Sequence, residues 1–254
     1  IEGNGRVRSF HEKPQNPTPI PGDPSKTLAS MGIYIANLKY LEEHLRADAH
    51  DKNSSHDFGR DIIPKVLANG DHVEAHQFLN PLEDCPPYWR DVGTIDAYYR
   101  ANLELISPEP PMDLYDPSWA TLTYQPQLPP AHFVGRDSKH GISNSMVSGG
   151  CVVIESDLRN TILFSNVKVQ SDCKLDGVLA LPGCDIGAGS HIKNAILDNQ
   201  CQIPAGSIIG TEPELDEQRY SISEGGVIVV NRKLLGQGDK YIPGVITHNP
   251  ENTV

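Results

Sequence analysis

Apolar residues return every six positions through the second half of the chain, at Leu163, Val169, Leu175 and Leu181. A five-residue step leads to Ile186 and six more residues to Ile192; another five-residue step leads to Leu197, then Ile203 and Ile209. Val152 and Leu158 carry the same spacing backwards. Gly, Asn, Asp and Ser fill the intervals, as in "LPGCDIGAGSHIKN". A period of six fits neither a helix nor a strand. It predicts a hexapeptide repeat, a β-solenoid from about residue 141 whose stacked coils point their apolar residues inward. The tail "GGVIVVNRKLLG" supplies one more strand, which could pair at the open edge of the last coil or in a subunit interface.

The stretch 1–108 reads differently, as mixed α/β. "GRVRSF" alternates as a strand, and "ASMGIYIAN" is a second, with β-branched and aromatic residues. "LKYLEEHLRADA" places Leu38, Leu41 and Leu45 at helical spacing. "GRDIIPKVLANG" predicts a short helix stopped by Gly70. "WRDVGTIDAYYRANLELIS" opens as a tight turn and becomes a helix, with Asp91 or Thr94 available as its cap. "SPEPPMDLYDPSWATLTYQPQLPP" is too rich in proline for a helix and predicts an extended connector over 109–140.

Composition narrows the function classes. The chain has 254 residues, 38% hydrophobic and 21% charged, a globular profile with enough length for a core. A formal net charge of −12 argues against nonspecific binding to nucleic acid or an anionic membrane, so a phosphate ligand would need a few placed cations or a metal. No apolar run approaches the roughly 20 residues of a membrane span, and no signal-peptide pattern opens the sequence. A soluble, cytoplasmic protein is expected. The five cysteines (Cys85, Cys151, Cys173, Cys184 and Cys201) form no CxxC pair. Their spacing suits small wall residues of the repeat better than metal ligands or a disulfide framework.

"FHEKP" ends the first predicted strand with an acid and a base, Glu12 and Lys13, before Pro14. By itself this is also a common surface dipeptide at a turn. With "SMGIY", "SSHDFGRD" and "YWRDVGT" in that order, followed by a hexapeptide repeat, the chain resembles the sugar-1-phosphate nucleotidylyltransferases, and most closely the bacterial glucose-1-phosphate adenylyltransferases. The resemblance runs from Ile1 to about Leu235. It implies the C-terminal portion of a nucleotidyltransferase-type, Rossmann-like α/β domain over 1–108, joined by the connector to a left-handed parallel β-helix over 141–254 that serves regulation and oligomerisation. The family's glycine-rich nucleotide loop, GxGxR, has no counterpart in this sequence. The resemblance therefore implies the sugar-phosphate half of the active site, inactive and poorly soluble by itself.

The implied reaction is ATP plus α-D-glucose 1-phosphate to ADP-glucose and diphosphate, in storage-glucan (glycogen) synthesis, with Mg²⁺ as cofactor. Lys13 would meet the sugar phosphate and Glu12 the sugar hydroxyls. Ser30 would hydrogen-bond the glucose, and Tyr34 and Trp89 would line its pocket. Asp91 would be the Mg²⁺ ligand contributed by this part of the enzyme, and Asp57 and Phe58 would support the site from behind. A buried strand serine, a core tyrosine and a helix cap are the structural counterparts of those roles for Ser30, Tyr34 and Asp91. A homotetramer is implied, controlled by a sugar phosphate activator and an AMP-type inhibitor, with Arg232 and Lys233 as effector ligands. Asn199 and Gly236 depart from the family, which often has Arg at both places. Two readings of other classes remain: a hexapeptide acyltransferase using His191 as base, and a non-catalytic scaffold or regulatory fragment.

Overall fold

The computed structural model describes residues 1–2, 5–20, 23–78, 87–117, 120, 122–135 and 140–238. Cys85 lies outside them. The chain divides into two compact units, Ile1–Pro87 and Tyr88–Val254.

The first unit is built around helices. Asn37 caps α1 (Leu38–Ala49), its side chain accepting the Lys39 and Tyr40 amides. A π-helical turn, Phe58–Ile62, runs into α2 (Ile63–Ala68), capped by Asp57, which accepts the Arg60 amide at 2.7 Å. Gly70, at φ +82°, ends α2 as expected. Its N–H reaches Leu67 O and that of Asp71 reaches Val66 O, the paired bonds of a left-handed helix stop. Ile62, Ile63, Val66 and Val7 are buried.

Neither strand expected in this unit forms. "GRVRSF" yields only an isolated bridge from Arg6 to Glu74, and residues 29–37 carry no strand. A strand exists only by pairing, and among the described residues no ladder forms on either segment. Ile33 and Ile35 therefore stand in solvent, 74% and fully exposed. The only ladder among the described residues of this unit is the antiparallel pair β1 (Pro19–Ile20) and β2 (Asp23–Thr27).

The second unit is the expected solenoid, about four turns of parallel strands, consistent with a left-handed β-helix. One face stacks β3 (His132–Val134), β6 (Val152–Ile154), β9 (Lys168–Val169), β11 (Asp185–Ile186) and β13 (Gln202–Ile203). A second stacks β4 (Ile142–Ser143), β7 (Asp157–Arg159), β10 (Lys174–Ala180), β12 (His191–Leu197) and β14 (Ile208–Ile209). The long strands β10 and β12 bend through a corner onto a third face, which also holds β5 (Met146–Val147), β8 (Ile162–Leu163) and β16 (Ile228–Val230). Before β16 come α4 (Pro213–Arg219) and β15 (Ser221–Ile222), the latter antiparallel to β16.

The pairing register sets the length of a coil, through the rows Asp157↔Lys174↔His191 and Lys168↔Asp185↔Gln202. From Leu158 onward each coil is two six-residue steps and one of five; the coil before it is one residue shorter, Ile142 pairing with Leu158 and Val153 with Val169. The buried side chains put the short step at one corner of every coil: Leu158 to Leu163, Leu175 to Ala180, Ile192 to Leu197. The sequence pattern was therefore one position out of register at two places. Ala180, not Leu181, points inward, and Val153, not Val152, faces Val169. Leu181 packs outside instead, in an apolar cluster with Tyr99, Ile162, Leu179 and Ile196.

That outer cluster seats α3 (Ile95–Glu104), whose cap is Thr94, its hydroxyl accepting the Ala97 amide at 3.1 Å. Outward positions of a solenoid are normally polar. Met146, Ile162, Leu179 and Ile196 instead form an apolar stripe, one residue from each successive coil, which α3 covers.

Cys151, Cys173, Cys184 and Cys201 are buried free thiols on the coil walls. Cys173 stands one coil from Ser156 and one from Ser190, and all three bond carbonyls of the chain. Burial pushes Cys184 up to about 12 and Cys201 to about 11. Their unfolded forms ionise near the ordinary 9.0. The thiols thus favour the fold below that pH and lose this contribution as pH rises from 9 towards 11–12. A thiol reagent at pH 8 is expected to leave these four unmodified in the native chain and to label them on unfolding. Leu175→Ala, at a 2% exposed wall position, is expected to cost roughly 2–5 kcal/mol in denaturant unfolding.

Candidate functional site

In the first unit, Glu12 and Lys13 sit at a tight turn. Lys13 has φ +44°, a left-handed conformation that costs a residue with a Cβ of order 1 kcal/mol. Its side chain is exposed, and it enters no ion pair among the described residues. Glu12 is half-buried over Gly59, the second residue of the π turn. A Cβ on Gly59 would lie 2.5 Å from Glu12 Oε2 and 3.1 Å from the Phe10 ring. The glycine of "HDFG" is thus the floor on which the carboxylate of "HEKP" rests, and the fold brings these two motifs together.

The same turn brings in a third. Phe58 stacks on Tyr34, ring centroids 4.7 Å apart, and the Tyr34 hydroxyl lies 2.9 Å from Ser30 Oγ. Ser30 Oγ also accepts the Gly32 amide at 3.2 Å. Ser30 and Tyr34 are exposed, so neither the buried-serine nor the core-tyrosine reading holds. Asp57 is committed to capping the π turn.

The loop before that turn is held by an acid that no sequence motif marked. Asp48, buried near the end of α1, accepts Ser54 Oγ–H at 2.6 Å and lies 2.9 Å from His56 Nδ1. These partners, Ser54 first and His56 second, hold its carboxyl below the usual range. Asp61 is held down likewise, first by Ser55 Oγ–H and then by the Asp57 amide. His56 takes φ +58° to make its contact. No periodicity signals such a hub; the serine-rich "NSSHD" beside an acidic helix end was its only trace.

In the second unit, Asp91 is exposed, and its Oδ1 accepts the Gly93 amide at 2.9 Å. It shapes a local turn while Thr94 caps α3, which resolves the choice between the two. Trp89 is 38% exposed. Arg90 pairs with Glu104 at 2.9 Å and lies over the Tyr88 ring. Among the described residues no group of three or more His, Cys, Asp or Glu could hold a metal. A hard cation that keeps its waters and phosphate ligands needs only one or two carboxylates, and the exposed Asp91 suits that donor set.

Arg232 and Lys233 diverge. Lys233 lines a cavity of about 740 Å³ with Arg219, Tyr220, Asn231, Leu234 and others. Arg232 bonds Gln200 Oε1 at 3.3 Å and the Gly238 carbonyl, and its buried Nε has no partner among the described residues. Asn199 bonds Asp198, and Gly236 has φ +68°. His191 is exposed between Lys174 and Ile208 on the second face of the solenoid.

Two families match the chain in series. Residues 1–107 match Nucleotidyl transferase and residues 129–230 match the GlmU-like, C-terminal hexapeptide family. Curated relatives include the glucose-1-phosphate adenylyltransferase of Nitrosococcus oceani, 46% identical over 244 residues, covering 95% of this chain and 58% of that protein. The enzyme of the same name from Yersinia pseudotuberculosis is 47% identical over 243 residues, covering 93% of this chain and 56% of its own length. The chain thus spans a little over half the length of the curated relatives it matches. The family likeness read from the four motifs and the repeat is borne out.

Asp48→Ala would leave His56 and Ser54 without their shared acceptor. Hydrogen exchange at residues 54–58 is expected to quicken about tenfold or more while α1 keeps its protection, as local opening requires. Unchanged exchange would remove Asp48 as the anchor. In the native chain the contribution of Asp48 holds above the unfolded carboxyl pKa and fades as pH falls below it.

Proposed function

We propose that this chain, a nucleotidyl transferase segment followed by a hexapeptide region, works as the C-terminal part of a glucose-1-phosphate adenylyltransferase. One observation carries the reading most directly: an exposed Lys13 in a left-handed turn, without an ion pair among the described residues, beside a carboxylate seated on Gly59. The turn has no evident structural use for that cation. A phosphate dianion supplies the charge it lacks.

In this reading Lys13 donates to the phosphate of glucose 1-phosphate, and Glu12 accepts from sugar hydroxyls. Ser30 and Tyr34, already hydrogen-bonded to one another, offer hydroxyls to the sugar; Trp89 keeps the sugar-binding role that the family likeness implies. Phe58 holds Tyr34 in place from behind, and Asp57 fixes the turn that carries Phe58. A phosphate oxygen of the sugar phosphate attacks the α-phosphorus of ATP, and the bond to the departing diphosphate breaks. Asp91 would hold Mg²⁺, which supplies charge neutralisation at the phosphates. The protein forms no covalent bond to substrate; it positions the reactants and balances their charge.

Arg232 and Lys233 are the proposed ligands of a sugar phosphate activator and an AMP-type inhibitor, in a cytoplasmic homotetramer serving glycogen synthesis. Lys233 and Arg219 on the cavity wall favour an anion there. Asn199 and Gly236 bring no guanidinium to it. No helix among the described residues is long and apolar enough to cross a membrane. The hexapeptide region is consistent with the acyltransferase alternative using His191, but the nucleotidyl transferase match and the curated relatives favour the main reading.

The test is ADP-glucose formation from ATP and glucose 1-phosphate with Mg²⁺, by this chain alone and joined to its upstream sequence. Activity is expected in the longer protein. Lys13→Ala there should raise the KM for glucose 1-phosphate about 10- to 100-fold, as loss of one charge-assisted contact predicts. No activity in either form would overturn the assignment.

A further inference from the structure

The turn that carries Asp91 leads straight into α3, and the first turn of α3 is tied to the β15–β16 hairpin. Asp96 accepts Ser223 Oγ–H at 2.6 Å and the Gly225 amide at 3.1 Å, contacts between segments far apart in sequence. Both carboxylate oxygens are thereby engaged by the hairpin. A carboxylate in a first helical turn usually serves that helix's own amides; here the cap is Thr94, which leaves Asp96 for the hairpin.

The receiving side is built for this contact. Ser223 Oγ accepts the Val227 amide at 2.9 Å, so donating to Asp96 completes its bonding. The Ser223 and Gly226 amides close the turn, onto Val227 O and Ser223 O, at 3.0 Å each. A Cβ on Gly225 would lie 2.4 Å from Asp96 Oδ1, so a side chain there would displace the carboxylate. One helical turn further on, the buried Tyr99 hydroxyl donates to Gly177 O at 2.6 Å. The helix is therefore pinned to the solenoid at two points. Only Ile95 and the cap Thr94 separate the first pin from the Asp91–Gly93 turn.

We propose that Asp96, Ser223 and Gly225 form a latch by which the solenoid positions the turn Trp89–Thr94, and with it the carboxylate of Asp91. Asp96 and Ser223 are positioning residues; neither touches substrate. The catalytic consequence rests on the Mg²⁺ reading of Asp91 given above, whereas the latch itself does not.

Ser223→Ala removes the hydroxyl and Ser223→Thr retains it. In the full chain, hydrogen exchange of residues 91–97 is expected to quicken about tenfold in Ser223→Ala and to return to the native rate in Ser223→Thr. The amides around Leu175 and Ile192 should stay protected in both. Unchanged exchange at 91–97, or a rise spread evenly through the solenoid, would overturn the latch. In the enzyme containing this chain and its upstream sequence, Ser223→Ala should raise the Mg²⁺ concentration for half-maximal rate about 3- to 10-fold, with the KM for glucose 1-phosphate unchanged. Local loosening without that shift would overturn the claim that the latch serves Asp91. A native enzyme without adenylyl transfer would overturn the reading of Asp91 and leave the latch to the exchange data alone.

Discussion

The solenoid depends on turning its chain three times in every coil, and each turn needs a residue in the left-handed region. Three columns supply them: Asn144, Asn160, Gly177 and Asn194; Gly150, Asn166, Gly183 and Gln200; Glu155, Asp172, Gly189 and Gly206. Each column advances one coil at a time, in step with the strand register. Glycine meets no steric penalty there, and asparagine offsets part of its own by local hydrogen bonding. The first column shows how: Asn144 Nδ2 donates to Asn160 Oδ1 at 2.9 Å, and Asn160 Nδ2 to Asp176 Oδ1 at 3.2 Å. Glu155 and Gln200 are held at their corners by the backbone, their amides bonding the Val134 and Pro182 carbonyls of the preceding coil. Once the corners are fixed, which residues face inward follows, and so does the wall of Leu, Ile, Val and Cys.

One corner also explains where α3 binds. Gly177 is the one glycine of its column, and a Cβ there would lie 2.6 Å from the Tyr99 hydroxyl and 2.9 Å from Asn194 Oδ1. The glycine thus serves both the left-handed turn and the close approach of a helix. With the apolar stripe from Met146 to Ile196 beside it, this corner turns one outer face of the solenoid into an internal interface. The physical boundary consequently differs from the sequence-family boundary. Residues 88–107 match the Nucleotidyl transferase family, yet they belong to the compact unit of the solenoid. A motif with proposed catalytic chemistry is carried by the scaffold.

What the sequence disclosed follows from how local each determinant is. The six-residue period, the helices from Leu38 and Ile63 and the stop at Gly70 all depend on neighbours in sequence, and all were legible; the cap of α3 was narrowed to Asp91 or Thr94, and the fold chose Thr94. The short step was misplaced at Leu181 because Ala180 is a weak hydrophobic signal next to a strong one, and only the pairing of successive coils decides between them. The strands expected around Val7 and Ile33 failed for another reason. Alternation marks a segment that could pair, while pairing needs a neighbour that the segment does not encode. Among the candidate residues, the motifs located Glu12, Lys13, Ser30, Tyr34 and Asp91, but not what holds them. Gly59 under Glu12, Asp48 behind His56 and Asp96 on Ser223 are contacts between segments, invisible to spacing.

Burial is divided unevenly, and the division bears on how the two parts can work. The solenoid wall is almost wholly sequestered, whereas the first unit buries Val7, Ile62, Ile63 and Val66 and leaves Leu28, Ile33, Ile35 and Leu38 in solvent. Local stability follows buried apolar contact, so the strained turn at Lys13 sits in the part least able to hold strain through packing. Glu12 packed over Gly59 and short polar ties hold it instead, with Tyr34 bonded to Ser30, and Asp48 to Ser54 and His56. Hydrogen bonds of this kind fix direction while each contributes only about 1 kcal/mol net. Such a segment can adjust its side chains to a charged ligand without disturbing a core. Asp91 has the opposite arrangement, an exposed carboxylate on a short turn whose following helix is pinned to a rigid solenoid. In the proposed roles, a carboxylate that meets an ion at fixed geometry gains from that rigidity, and a cation that closes on a phosphate does not need it.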